Sequence, residues 1–155
     1  MSAKVRDTRT AEGKKFQKML EELGKLEVRV GVQQGEESEN GVDLVDIAIF
    51  NELGTEHIPS RPFLRDSVDA NAEQINSFLQ SMKKQLLRSG SAEAVLKKIG
   101  VFQKGLIQEE IVKGDFAPNA AVTIRKKGSD TPLIDTGRMR QSINYVIQEK
   151  GSGDE

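Results

Sequence analysis

The sequence predicts an α+β fold, a small antiparallel β-sheet packed with helices that include one long helix or a helical hairpin. Three observations predict it. KLEVRVGVQ alternates Leu26, Val28, Val30 and Val32 with Glu27, Arg29, Gly31 and Gln33, a strict period of two with β-branched residues on one face. NYVIQEK, near the far end, reads as a second strand, so Leu26–Gln33 is expected to pair with Asn144–Gln148. Between them Val68, Ala72, Ile75, Leu79, Met82 and Leu86 recur at alternating steps of four and three, a seam of coiled-coil type.

In chain order, residues 1–9 are polar and read as loose, as does the tail at 150–155. From Thr10 the pattern is helical. Phe16, Met19, Leu20 and Leu23 make an apolar stripe, Gly24 reads as the stop, and the helix is expected to lie on the sheet. GEESENG is an acidic loop. Asp43 then caps a helix running through Leu53, with Val45, Ala48, Ile49 and Leu53 on one side.

The next stretch, NELGTEHIPSRPFLRDS (Asn51–Ser67), is dense in backbone signals. Gly54 can take the left-handed conformation that ends a helix. Pro59 and Pro62 push Ile58 and Arg61 towards extended geometry. Arg61, between two prolines, is well placed for a fixed ion pair within or between subunits. Phe63 and Leu64 open a helix expected to reach Arg88, about 40 Å at roughly 1.5 Å per residue. SGS at 89–91 breaks it. Ser91 caps a second long helix with Val95, Ile99, Phe102, Leu106, Ile107 and Ile111 on its stripe. Gly100 and Gly105 weaken that helix by about 1 kcal/mol each relative to Ala. An antiparallel hairpin is the expectation, one kinked helix the alternative.

DFAPNA is a turn, and Asn119 reads as the cap of a short helix, AVTIRKK, ended by Gly128. After a second turn, SDTP, Asp135 or Thr136 caps a last helical turn, TGRMRQSI. The whole, 1–155, reads as a single domain, with 115–131 a candidate arm that orders against neighbours.

Composition narrows the function. Of 155 residues, 36% are hydrophobic and 30% charged, enough for one core. Aromatics are only 5%, which leaves surface for partners to cover. A net charge of −1 gives no global pull towards nucleic acid or membrane. There is no cysteine, hence no disulfide, thiolate zinc site or cysteine nucleophile. MSAKVRDTRTAEGKKF has no apolar run of a secretory signal, and no 18-residue apolar stretch exists.

The balanced total hides a segregation. Residues 31–57 carry seven acids and no Lys or Arg, whereas residues 81–104 carry six bases against Glu93. Such runs are either solvated faces or complementary rims that meet between copies.

No active site emerges. His57 is the only histidine and lies in a loop. No G-x-S-x-G, Walker or G-x-G-x-x-G spacing is present, and the acidic loop lacks the order of a calcium loop. An enzyme, a cofactor and a metal are therefore not expected. Arg125, Lys126 and Lys127, followed by Arg138 and Arg140, are candidate phosphate contacts. They lack aromatic interleaving, but in a ring each cation is multiplied by the copy number.

Two stretches carry a resemblance. NELGTEHIPSRPFL resembles a hallmark of the tailed-bacteriophage neck or tail-completion family, the minor tail components that join head to tail: an apolar helix ending in N-E-x-G-T, a short loop, then I-P-x-R-P-F-L opening a long helix. PLIDTGRMRQSINYVI resembles the family's closing motif, apolar-x-D-T-G-R-x-x-x-S-I before a strand, and FAPNAAVTIRKKGSDTPLIDTG follows its usual spacing. The two lie about seventy residues apart in the family's order, and the likeness extends from Leu26 to Ile147.

The resemblance implies a structural or assembly role for Asn51, Gly54, Arg61, Pro62, Phe63, Leu64, Asp135, Thr136, Gly137 and Arg138. It implies a non-enzymatic virion subunit without cofactor, made in the bacterial host cytoplasm and built into the neck or tail. Such subunits form homo-oligomeric rings, commonly hexamers, in the head-to-tail connector or at the top of the tail. Their neighbours are connector, tail-terminator or tail-tube proteins. Genomic DNA passes the lumen without sequence recognition, and no membrane is involved. Tail terminators share these motifs. A DNA-binding packaging or assembly accessory protein is the other reading.

Overall fold

The computed structural model describes residues 8–35, 41–128, 130, 133 and 137–152, with only the backbone of Lys127. Among these residues the chain is α+β, with seven helices and one two-stranded antiparallel sheet.

Thr10 starts α1 (Ala11–Lys25): its Oγ1 accepts from the Gly13 N–H at 3.1 Å. Gly24 does not stop this helix. The chain passes from Lys25 directly into β1 (Leu26–Val32). That strand pairs with β2 (Ile143–Glu149) in the register Leu26↔Glu149 to Val32↔Ile143. The two ends of the described chain thus meet in one sheet, as expected.

Asp43 Oδ1 accepts from the Val45 N–H at 2.8 Å and opens α2 (Leu44–Leu53). The helix buries Leu44 and Ala48, while Ile49 and Leu53, expected inside, face outward. α2 is apolar around most of its circumference, so periodicity alone could not choose its inner face.

The helix expected from Phe63 to Arg88 is two, α3 (Phe63–Asp69) and α4 (Ala72–Ser89). The apolar seam runs unbroken across the join, but Asn71 does not continue the helix. Its Nδ2 donates to the Ser67 carbonyl at 2.9 Å, and its own φ is −115°. An asparagine side chain competing for a backbone carbonyl is a known helix breaker.

Gly90 then turns the chain at φ +66°, and Ser91 Oγ caps α5 (Ala92–Lys113). Phe78 stacks on Phe102 with centroids 4.0 Å apart, and Lys98 donates to Gln85 Oε1 at 2.8 Å. These pairs run in opposite directions along the two helices, so α4 and α5 form the antiparallel hairpin.

α5, about 33 Å long, is the spine of the subunit. It packs along β1 and β2, along α3 and against α1. Because α5 takes that place on the sheet, α1 lies against the hairpin tip instead. There Met19 shares a core with Met82, Leu86, Ala92 and Val95. The larger core sits at the other end and gathers Leu44, Ala48, Phe63, Ile107, Ile111, Leu133, Met139 and Ile143.

Gly100 explains how closely α5 approaches the sheet. A Cβ there would lie 2.6 Å from the Tyr145 ring, whereas one at Gly105 would meet nothing within 4 Å. The two glycines that look alike as helix weakeners therefore differ in role.

Candidate functional site

The resembling stretch Asn51–Leu64 folds into a joint in which most polar groups have a defined partner. Gly54 ends α2 at φ +76° and ψ 170°, a region open to glycine rather than the left-handed helical one. A Cβ there would lie 2.9 Å from the Ser60 amide nitrogen and 3.1 Å from the Ile58 carbonyl. Thr55 Oγ1 accepts from the N–H groups of His57 and Ile58, which folds the loop tip back. His57 itself is exposed.

Glu52 is the residue that sequence reasoning missed. α3 begins after Pro62, which has no side-chain acceptor for the helix's free N–H groups. The Glu52 carboxylate supplies it, accepting from Leu64 N at 2.9 Å and Arg65 N at 3.1 Å. An anion at a helix N-terminus also meets the favourable end of the helix dipole. The cap comes from twelve residues upstream, outside the local windows in which capping is read.

Arg61 is the centre of the joint and only 6% exposed. It makes no ion pair with a carboxylate among the described residues, so the ion pair expected within the subunit is replaced by hydrogen bonds to neutral oxygens. Its Nε donates to the Ala117 carbonyl at 2.8 Å and its Nη1 to Asn51 Oδ1 at 3.1 Å. Its Nη2 donates to the Pro118 carbonyl at 3.1 Å and Asn119 Oδ1 at 3.3 Å. Burial lowers its pKa, but a guanidinium stays charged. Asn51 in turn donates to the Ile47 carbonyl, so one chain of hydrogen bonds links α2, the joint and the segment 117–119.

This changes the reading of the 115–131 arm. Its first residues are tied to Arg61. Asn119 serves that contact rather than capping α6 (Ala121–Lys127), whose first flanking residue is Ala120. Gly128 ends α6 in the left-handed conformation, as expected. Arg125 and Lys126 are exposed on α6, and the side chain of Lys127 lies outside the described residues.

Of the closing motif, Asp135 and Thr136 lie outside the described residues. Gly137, at φ +78°, precedes α7 (Arg138–Ser142). Arg138 is exposed and has no ion pair among the described residues. Arg140 is held instead: its Nε donates to the Gln108 carbonyl while Gln108 Nε2 donates back to the Arg140 carbonyl. The two resembling stretches meet in one core, which contains Phe63 from the first and Leu133, Met139 and Ile143 from the second.

Two other carboxyls are perturbed. Burial, with Asp66 nearby, raises the pKa of Glu110. The hydrogen bond from Gln148, then Arg29, holds Glu27 low. They lie on different elements and form no pair. No three His, Asp or Glu side chains converge as a metal site among the described residues.

What the surface offers is apolar and charged contact. α2 exposes Ile49, Phe50 and Leu53, the last 66% accessible, with Val42 just before the helix. Between α4 and α5 lies an open groove of about 540 Å³ lined by Phe78, Ala94, Lys97, Lys98, Val101 and Phe102. Lys83, Lys84, Arg88, Lys97 and Lys98 make no ion pair among the described residues, so the described residues do not pair off this basic run. No helix among the described residues is long and apolar enough to cross a membrane. No protein-family model, curated protein or solved structure matches this chain.

Proposed function

We propose that the chain is a structural subunit of a tailed-phage virion, without catalytic activity. It assembles as a homo-oligomeric ring in the head-to-tail connector or at the top of the tail, and DNA passes through the lumen. The observation that carries this reading is that the two stretches resembling the family's motifs share one core, through Phe63 on one side and Leu133, Met139 and Ile143 on the other. Motifs placed this way shape a subunit rather than assemble a reaction centre. Exposed apolar side chains on α2 and along the hairpin add to it, since such surface is normally covered by a partner.

Imaging of purified particles, with native mass measurement of the isolated chain, tests the reading. The expected result is a ring of defined copy number, six-fold by the resemblance, that is incorporated into virions. Within it Arg138, exposed and unpaired by any described residue, serves a contact between subunits. Arg138→Ala is expected to leave the thermal melt unchanged and reduce ring yield; normal particles would remove that role.

A second reading, a DNA-binding packaging accessory, draws on Arg125 and Lys126 exposed on α6. Its signature would be a monomer that binds free duplex with affinity falling steeply with salt and never enters particles.

A further inference from the structure

We propose that the outer face of α2 of one copy docks into the lysine-rimmed groove between α4 and α5 of the next copy. The inference rests on the ring reading and names the contact that builds it.

The two surfaces match in chemistry. Asp46, Ile49, Phe50 and Leu53 fall at steps of three, one and three, on one side of α2, with Val42 just before the helix, and all five are exposed. The stripe is apolar with one acid within it. The groove is its counterpart: Phe78, Val101 and Phe102 supply an apolar floor, and Lys97 and Lys98 supply the cations. Val101 is 54% accessible in a helix whose other stripe is buried, so the groove has apolar surface to cover.

They match in size as well. The helical stripe from Asp46 to Leu53 rises about 10 Å, and the groove from Ala94 to Phe102 about 12 Å, at 1.5 Å per residue. The subunit cannot close this contact on itself. α2 is seated in the core formed around Ile107 and Ile111 of α5, whereas the groove lies at 94–102, towards the hairpin tip.

The charges also select the arrangement. A two-fold contact of α2 with α2 would give Asp46 no cation to face, and one of groove with groove would bring lysines together without an acid. Head-to-tail contact pairs acid with base and leaves one free α2 and one free groove at each step. Such a contact grows until it closes as a ring or continues as a filament.

The test uses the full chain with reversed charges. Asp46→Lys alone, and Lys97→Glu with Lys98→Glu, each oppose like charges, and each variant is expected to self-associate at least about tenfold more weakly. An equimolar mixture of the two variants is expected to assemble again. In it the cation introduced on α2 of one variant faces the carboxylates introduced in the groove of the other, while the alternate contacts keep their natural signs. Native mass spectrometry reads the mixture, and circular dichroism checks that each variant is folded. The natural absence of cysteine permits a second readout in the otherwise unaltered chain. Phe50→Cys with Val101→Cys in one chain is expected to give an oxidised ladder of dimers, trimers and higher species.

Wild-type rings whose formation neither charge variant weakens, together with no ladder, would overturn this contact and leave the ring reading standing. A wild-type chain that stays monomeric, with no ladder from the double-cysteine chain, would overturn the contact, and its absence from imaged particles would overturn the ring as well.

Discussion

The joint at Asn51–Leu64 and the hairpin of α4 and α5 both combine charged and apolar residues, yet they are finished differently. In the joint, Glu52 caps α3, Asn51 and Arg61 hold each other, and Arg61 reaches three further acceptors. Among the described residues no buried side-chain nitrogen or oxygen lacks a partner. In the hairpin, Lys83, Lys84, Arg88, Lys97 and Lys98 project without ion pairs among the described residues, and Phe78, Val101 and Phe102 line an open groove. The first region is complete within one chain. The second leaves apolar and cationic surface open, which the proposed contact would cover. Substitutions in the joint should therefore cost stability, and substitutions on the hairpin's outer surface should cost assembly.

The largest effect is expected at Gly54. Gly54→Val places a branched side chain at φ +76° with its Cβ 2.9 Å from the Ser60 nitrogen. The cost is expected to exceed about 4 kcal/mol, enough that circular dichroism shows little folded chain. Arg61→Ala comes next. It strips donors from Asn51, Ala117, Pro118 and Asn119 at once and is expected to cost roughly 2–4 kcal/mol in urea unfolding. Arg61→Lys should not rescue it, since an ammonium cannot span acceptors placed for a planar fork.

Gly100 and Gly105 give a sharper contrast inside one helix. Gly100→Ala drives a methyl into the Tyr145 ring and is expected to destabilise by about 1–3 kcal/mol. Glu52→Ala removes a long-range cap and should cost about 1 kcal/mol. Gly105→Ala, with open space at the Cβ, is expected to stabilise by about 0.5–1 kcal/mol. Thermal melts of these three variants measure the series, and equal losses at Gly100 and Gly105 would refute the distinction.

The same contrast explains what can be read from the residues alone. The strand pair, the caps at Asp43 and Ser91, the turn after Ser89 and the buried stripe of α5 are legible because each signal is local. The Arg61 partners are not, because backbone carbonyls more than fifty residues away leave no mark in a sequence window. Glu52 looks like one acid among seven. The break at Asn71 is hidden by an apolar seam that continues across it, although only Met82 and Leu86 of that seam are buried while Val68 and Leu79 are exposed. The outward turn of Ile49 and Leu53 is hidden for the same kind of reason: an apolar helix reads as a core helix. Those outward-facing apolar residues are the strongest pointers to the surface that a second copy would cover.

Amide hydrogen exchange of the full chain, compared between dilute and concentrated solution, tests the difference between the two regions most directly. The account predicts new protection on assembly at 44–53 and 94–102, with the rest of the joint beyond α2, 54–64, equally protected in both. Protection that rises in the joint while α2 and the groove are unchanged would contradict it.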